Sequence, residues 1–233
     1  MDYTPLIISI KTAAAATAMV SVFGIFASWF MCRYNGKFKS LIDSVFLLPM
    51  ILPPTVIGYI LLIAIGKNSL LGKFLYRFDL SLIFTWPALV LAASVVAFPL
   101  MYKTSKAAFE QLDPDILDAA RTLGAGEFKI FSKIMIPNAW PGIVAGAVLS
   151  FARALGEFGA TLMVGGSIPD KTLTVPIAIF FASESGNSKE AGLWVAIIFM
   201  ISLLVMTIVN SYEGKISKKS RIGKELEADE HLY

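Results

Sequence analysis

Long stretches without Asp, Glu, Lys or Arg alternate with short charged islands along the chain, and their lengths are the first informative pattern. The uncharged stretches run over 12–32, 44–66, 80–102, 134–152 and 191–212. Each is close to the roughly 20 apolar residues that a helix needs to cross a bilayer. With flanking residues the pattern predicts spans over about 6–32, 42–66, 80–102, 138–165 and 190–212, a polar loop over 103–137 and a charged tail over 213–233. The fourth span is expected to continue past Arg153 and Glu157 to about Gly165 as one long helix holding an ion pair. A further apolar run over 172–183 has only twelve uncharged residues and contains Pro176. It is expected to be a re-entrant or interfacial piece. The fold class is therefore all-α, a single polytopic membrane domain over 1–233.

Composition agrees with this division. Apolar residues make up 56% of the chain and charged residues 16%, with a mean hydropathy of +0.71, above the range of soluble domains. A net charge of +3 is too small to argue for a nucleic-acid partner. Cys32 and His231 are the only residues of their types, so neither a disulfide nor a Cys/His metal set is indicated. Asp2 stands where a leader would carry basic residues, and the apolar run that follows is long for a signal core, so a retained first span is expected.

Lysine and arginine set the orientation, because basic residues flanking spans are kept preferentially in the cytoplasm. With the N-terminus outside and the C-terminus inside, thirteen fall on the inner side and six on the outer. Lys67, Lys73 and Arg77 in one outer loop run against the trend.

Helix breakers cluster unusually. Pro49, Pro53 and Pro54 lie in the second span and Pro87 and Pro99 in the third. Proline removes a backbone donor and displaces a turn, so these helices should be kinked or locally unwound. At membrane depth such backbone is tolerated where protein or a watery cavity covers it. On the fourth span Gly142, Gly146, Gly156 and Gly159 predict close helix contact.

The polar loop KTSKAAFEQLDPDILDAARTLGAGEFKIFSKIMIPNAWPGI has helical periodicity. Ile116, Ala119, Ala120 and Leu123 form one stripe, and Phe128, Phe131, Ile134 and Met135 another. Asp113 is the expected N-cap with Pro114 at the first helical position, and Gly124 the expected stop. The pattern predicts two short amphipathic helices around a glycine turn. Periodicity alone would lay their stripes against the bilayer interface or the protein's own helix ends.

The residue order within this loop adds more. DAARTLGAGEFKIFSKIMIP resembles the signature loop of ABC importer permeases, in which Glu-Ala-Ala is followed after three residues by Gly and after nine more by Ile, any residue, Leu and Pro. Asp118, Ala119, Ala120, Gly124, Ile134, Ile136 and Pro137 match this spacing, with Asp for Glu and Ile for Leu. The resemblance implies a type I importer permease whose loop, including Asp118, Ala119, Ala120, Arg121, Leu123, Gly124, Ile134 and Pro137, forms a coupling helix docked on a separate ATPase. LPMILPPTVIGYILL, FPLMYKTSKAAFEQLDPDILDAARTLG and WPGIVAGAVLSFARALGEFGAT are in turn similar to molybdate permeases, with sulfate and thiosulfate permeases as relatives. Together these segments cover most of 42–174.

That resemblance implies a homodimer, two ATP-binding cassette subunits that hold ATP and Mg²⁺, an extracytoplasmic molybdate-binding protein and surrounding membrane lipid. This chain itself is expected to bind no cofactor or metal and to have no catalytic residue. It contains nothing like the phosphate-binding loop G-x-x-x-x-G-K-[ST]. Candidates for the path or the dimer interface are Pro53, Pro54, Thr55, Ser94, Ser150, Arg153, Glu157 and Thr161. Hydroxyls and backbone N–H groups at unwound turns suit an oxyanion, whereas Arg153 and Glu157, four apart, are expected to form a structural ion pair. Sulfate, thiosulfate or tungstate are alternative cargoes. An ion-coupled carrier would be expected to show two related halves, and a membrane enzyme a nucleophile, paired acids or a metal set. None of these patterns is visible in the sequence.

Overall fold

The computed structural model describes residues 2–78 and 81–207, and among these every regular element is helical. In chain order they are α1 (Thr4–Arg33), α2 (Lys39–Ile51), α3 (Pro54–Ile65), α4 (Leu70–Tyr76), α5 (Trp86–Glu110), α6 (Pro114–Thr122), α7 (Glu127–Ile130), a π-helical turn (Phe131–Met135), α8 (Ile136–Leu155), α9 (Gly159–Gly165), α10 (Val175–Glu184) and α11 (Ser188–Thr207). The helices α1, α5, α11 and the continuous Glu127–Leu155 are long and apolar enough to cross a membrane. The pair α2 and α3 makes the fifth expected crossing when counted as one. The tail from 213 lies outside the described residues.

The second span does more than kink: α2 and α3 meet at an angle of 112°. Two consecutive prolines explain it, because a residue before proline is pushed out of the α region. Leu52 (ψ 139°) and Pro53 (ψ 138°) are accordingly extended. Pro49 and Pro99 sit inside helices that continue past them, and Pro87 falls in the first turn of α5, where its missing donor is harmless. The third span thus starts at Trp86 and continues to Glu110, displaced toward the polar loop relative to 80–102.

The fourth span is not the single helix expected to Gly165. It stops at Leu155, resumes as α9 at Gly159, and leaves Gly156, Glu157 and Phe158 as a break. The Glu157 carboxylate accepts the Ala160 amide at 2.8 Å, giving that donor a side-chain partner. Nor is the second amphipathic segment of the loop a separate short helix. It runs through the π turn directly into α8. The run over 172–183 holds only the ten-residue α10, too short to cross alone.

Small residues set the spacing of the long helices. Ala13, Ala16, Gly24 and Ser28 of α1 are buried, and Ser28 Oγ donates to the Tyr102 carbonyl of α5 at 2.8 Å. A β-carbon at Gly24 would stand 2.9 Å from Met101 Cγ, and one at Gly142 2.6 Å from Ala108 Cβ. Such approach is what holds helices together where no hydrophobic force acts between them. Outward faces are apolar, with Phe23, Ile51, Phe199 and Leu204 exposed, as a bilayer would require.

The two ends of the bundle differ. At one, Arg33 pairs with Glu127 at 3.2 Å and Lys106 with Asp43 at 2.5 Å, close to α6. At the other, Trp86 Nε1 donates to Thr12 Oγ1 at 3.0 Å and the Val175 amide to Ser9 Oγ at 2.8 Å.

Candidate functional site

The loop between α5 and α8 is built as its residues dictate. Asp113 caps α6 by accepting the Asp115 amide at 2.9 Å, with Pro114 in the first turn. Leu123 follows, then Gly124 at φ +77°, where a side chain would be strained. Amides of Leu123 and Ala125 return to the carbonyls of Ala119 and Ala120 at 3.0 Å, closing the helix end.

The predicted stripe on α6 divides. Leu117, Ala120 and Ala125 pack toward the bundle, whereas Ile116, Ala119 and Leu123 face outward, Leu123 at 88% exposure. The second stripe divides too. Phe131 and Met135 are buried, Ile134 is half-buried, and Phe128 points outward. Pro137 lies exposed in the first turn of α8. Apolar surface on a small polar helix at the end of a bundle is a docking patch in form.

Charged groups brace that patch. Arg121 Nη1 meets Asp118 Oδ1 at 2.5 Å, Arg121 Nε meets Glu127 Oε1 at 3.0 Å, and Glu127 Oε2 meets Arg33 Nη1 at 3.2 Å. Hydrogen bonds to Glu127 and then to Asp118 raise the Arg121 pKa further, so it stays charged. Arg33 also lies 5.2 Å from the Trp29 ring centroid, and Trp29 stacks on Phe131 at 4.6 Å. The α6–α7 segment is thus tied to α1 and to the π turn at once. Sequence reading found Asp118 and Arg121 but missed Arg33 and Glu127. The loop resemblance brought in the first two, while no local periodicity links residues 33 and 127.

The second candidate set partly converges. The break after α8 lies against the break before α3: a β-carbon on Gly159 would stand 3.1 Å from the Thr55 amide and 3.2 Å from Pro54 Cβ. Gly58 meets Met163 and Ala160 more closely still, at 2.7 and 2.8 Å from such a β-carbon. Arg153 Nη1 lies 2.8 Å from Glu157 Oε2, and Glu157 is only 2% exposed. Thr161 Oγ1 bonds back to the carbonyls of Phe158 and Glu157 at 2.9 and 3.1 Å. Pro53 and Thr55 are exposed beside this junction. Ser150 is fully buried, with Oγ 3.5 Å from the Ala97 carbonyl. Ser94 lines a different feature, an apolar groove of about 310 Å³ between α1, α2 and α5, and its hydroxyl has no hydrogen-bond partner among the described residues.

Two broken helices joined at their breaks, and a small polar helix with an outward apolar face braced by ions at one end, are features of a transport domain. The family model for the binding-protein-dependent transport system inner membrane component matches residues 20–214. The chain belongs to this family.

Among relatives, this permease-family chain is 45% identical over 208 residues to the putative molybdenum transport system permease protein YvgM of Bacillus subtilis, covering 89% of this chain and 92% of that one. It is 36% identical over 219 residues to the molybdenum transport system permease protein ModB of Escherichia coli, covering 94% and 96%. It is 31% identical over 212 residues to the sulfate transport system permease protein CysT of Salmonella typhimurium, covering 91% and 76%. Its fold is similar to that of a bacterial ABC transporter involved in the import of the acidic polysaccharide alginate, with a TM-score of 0.71 at 12% identity over 93% of this chain and 81% of that one.

Proposed function

We propose that this inner membrane component is the permease of an ATP-driven importer that carries molybdate into the cytoplasm by alternating access. The observation that carries the reading is the outward face of Ile116, Ala119 and Leu123 on α6, held by the Asp118–Arg121–Glu127–Arg33 chain of ion pairs. A face of this kind fits a groove on another protein, and ATP with Mg²⁺ would be held there, on a pair of ATPase subunits. Two copies of the permease would enclose the pathway, an extracytoplasmic binding protein would deliver the anion, and α6 would face the cytoplasm with the N-terminus outside. The relatives at 45% and 36% identity support molybdate as cargo.

Mechanically, a push on α6 reaches α1 and α7 through Glu127 and reaches α5 through the short turn over 111–113. The long helices then tilt as rigid bodies, because their small-residue seams leave no slack. Movement is absorbed at the breaks, where the short α3 is joined to α2 by the extended Leu52 and Pro53, and the short α9 to α8 by the non-helical Gly156, Glu157 and Phe158.

The test is reconstitution of the permease with its ATPase and binding protein in vesicles. Molybdate-loaded binding protein should stimulate ATP hydrolysis and uptake, and a crosslinker placed at Ala119→Cys in a Cys32→Ser background should capture the ATPase subunit. Uptake by vesicles holding the permease alone would overturn the reading. Sulfate is the second reading, carried by the 31% identity to CysT. Greater stimulation by sulfate-loaded than by molybdate-loaded binding protein would favour it.

A further inference from the structure

Asp43, in the second turn of α2, reaches across to α5. Its Oδ1 accepts the Tyr102 hydroxyl, and its Oδ2 lies 2.5 Å from Lys106 Nζ, with the side chains of Lys106 and Asp43 only 15% and 26% exposed. Glu110 approaches the same ammonium at 3.9 Å. Phe46, one turn further along α2, packs edge-on against Tyr102 and Phe98 at 5.1 and 5.5 Å.

What makes this cluster informative is how little else holds α2. No residue of that helix is buried. Among the described residues its other hydrogen bonds stay within the helix or its flanking turns, so Asp43 makes its polar ties to the rest of the bundle. α5 is different. Tyr102 is buried, its carbonyl accepts Ser28 of α1, and Met101 lies against Gly24. One helix is therefore built into the bundle, and its neighbour is fastened to it by a carboxylate, a phenol and an ammonium.

The positions matter for transport. Lys106 stands one turn before the end of α5, which passes through three residues to α6. α2 is the first half of the broken span, leading to the 112° bend and thence to α3 beside α9. A displacement of α6 moves Lys106 with it. Whether α2 follows depends on the Asp43 contacts, which unlike a packed apolar seam can be released and remade without opening a cavity.

We propose that Asp43, Tyr102 and Lys106 are positioning residues that form an ionic clutch, making α2 and the bend above it move with the coupling helix. The inference rests on the importer reading and adds to it the route by which α6 reaches the broken span.

The experiment uses the complete complex of permease, ATPase and molybdate-loaded binding protein in vesicles, and measures ATP hydrolysed per molybdate taken up. Asp43→Asn and Lys106→Met should still assemble and hydrolyse ATP in response to the loaded binding protein, but raise that ratio roughly fivefold or more, the scale of a modest coupling free energy. Asp43→Glu should restore much of the coupling, and so should the exchange Asp43→Lys with Lys106→Asp. Tyr102→Phe, which keeps the ring and removes the hydroxyl, should give a smaller rise and serves should the charge variants fail to assemble. An unchanged ratio in the assembled variants, or uncoupling that neither Asp43→Glu nor the exchange relieves, overturns the clutch. Those results leave the importer reading standing, which fails only when the unaltered complex shows no ATP-dependent uptake.

Discussion

Gly58 of α3 faces the backbone of Ala160 in α9 so closely that a β-carbon on the glycine would stand 2.8 Å from Ala160 Cα. The contact is against main chain, which cannot rotate away. The two half-helices on either side of the bend and the break are therefore joined with no room between them.

Gly58→Ala is expected to force α3 and α9 apart and lower stability by about 1–3 kcal/mol, the range for overpacking. Gly192→Ala on α11 has open space and is the control. Thermal unfolding of the purified permease in detergent reads the difference: a clear fall in Tm for the first and little change for the second.

Glu157 carries two contacts that can be separated. Glu157→Ala removes both the Arg153 partner and the acceptor for the Ala160 amide, and breaking a buried pair costs about 3–5 kcal/mol when both ions are enclosed. Arg153 is 34% exposed, which places the expected loss at or below the lower end of that range. Glu157→Gln keeps an acceptor for the amide and should lose less. A Tm order of wild type, then Gln, then Ala checks this, and equal Tm values for the two variants would count against the capping role.

Arg121 should behave differently. Its pairs with Asp118 and Glu127 are exposed, and exposed pairs contribute about 0–1 kcal/mol each. Arg121→Met should leave Tm nearly unchanged while weakening ATPase capture, because α6 loses its brace to α1 and α7. Titration of the permease with the ATPase subunit, followed by sedimentation or fluorescence, measures it.

Leu123→Asp tests the docking face itself. The side chain is almost wholly exposed, so the folded permease should tolerate the charge. Burying an unpaired carboxylate in a partner's groove is costly, and ATP-dependent uptake should fall by an order of magnitude or more. Leu123→Met is expected to retain it.

The start and stop of α6 were legible in the sequence because their signals are local. Asp113, Pro114 and Gly124 each act within a turn of where they stand, and the structure places all three in the expected cap and stop positions. Pro53 and Pro54 likewise announced the interrupted second span. The end of the fourth span was misread because its break rests on Gly156 and on Glu157 turning to the Ala160 amide, and an uncharged apolar run continues on both sides. Of the candidate path residues, Pro54, Thr55, Glu157 and Thr161 gather at the junction of α3 and α9, while Ser94 opens onto a separate apolar groove. Asp43, Tyr102 and Lys106 were invisible for the reason that hid Arg33 and Glu127. Tyr102 and Lys106 stand four apart on α5, but their meeting with Asp43 depends on which helices pack together, and no spacing along one helix encodes it.

The broken span has a geometrical consequence. At 1.5 Å per residue the thirteen residues of α2 reach only about 20 Å, short of the roughly 30 Å depth of the oily layer. Where α2 gives way to α3, the insulating wall is therefore pieced from two short rods set at 112° to each other. The extended backbone of Leu52 and Pro53 at that joint is tolerated at such depth only under cover, and α9 supplies cover where Gly159 lies against Pro54 and Thr55.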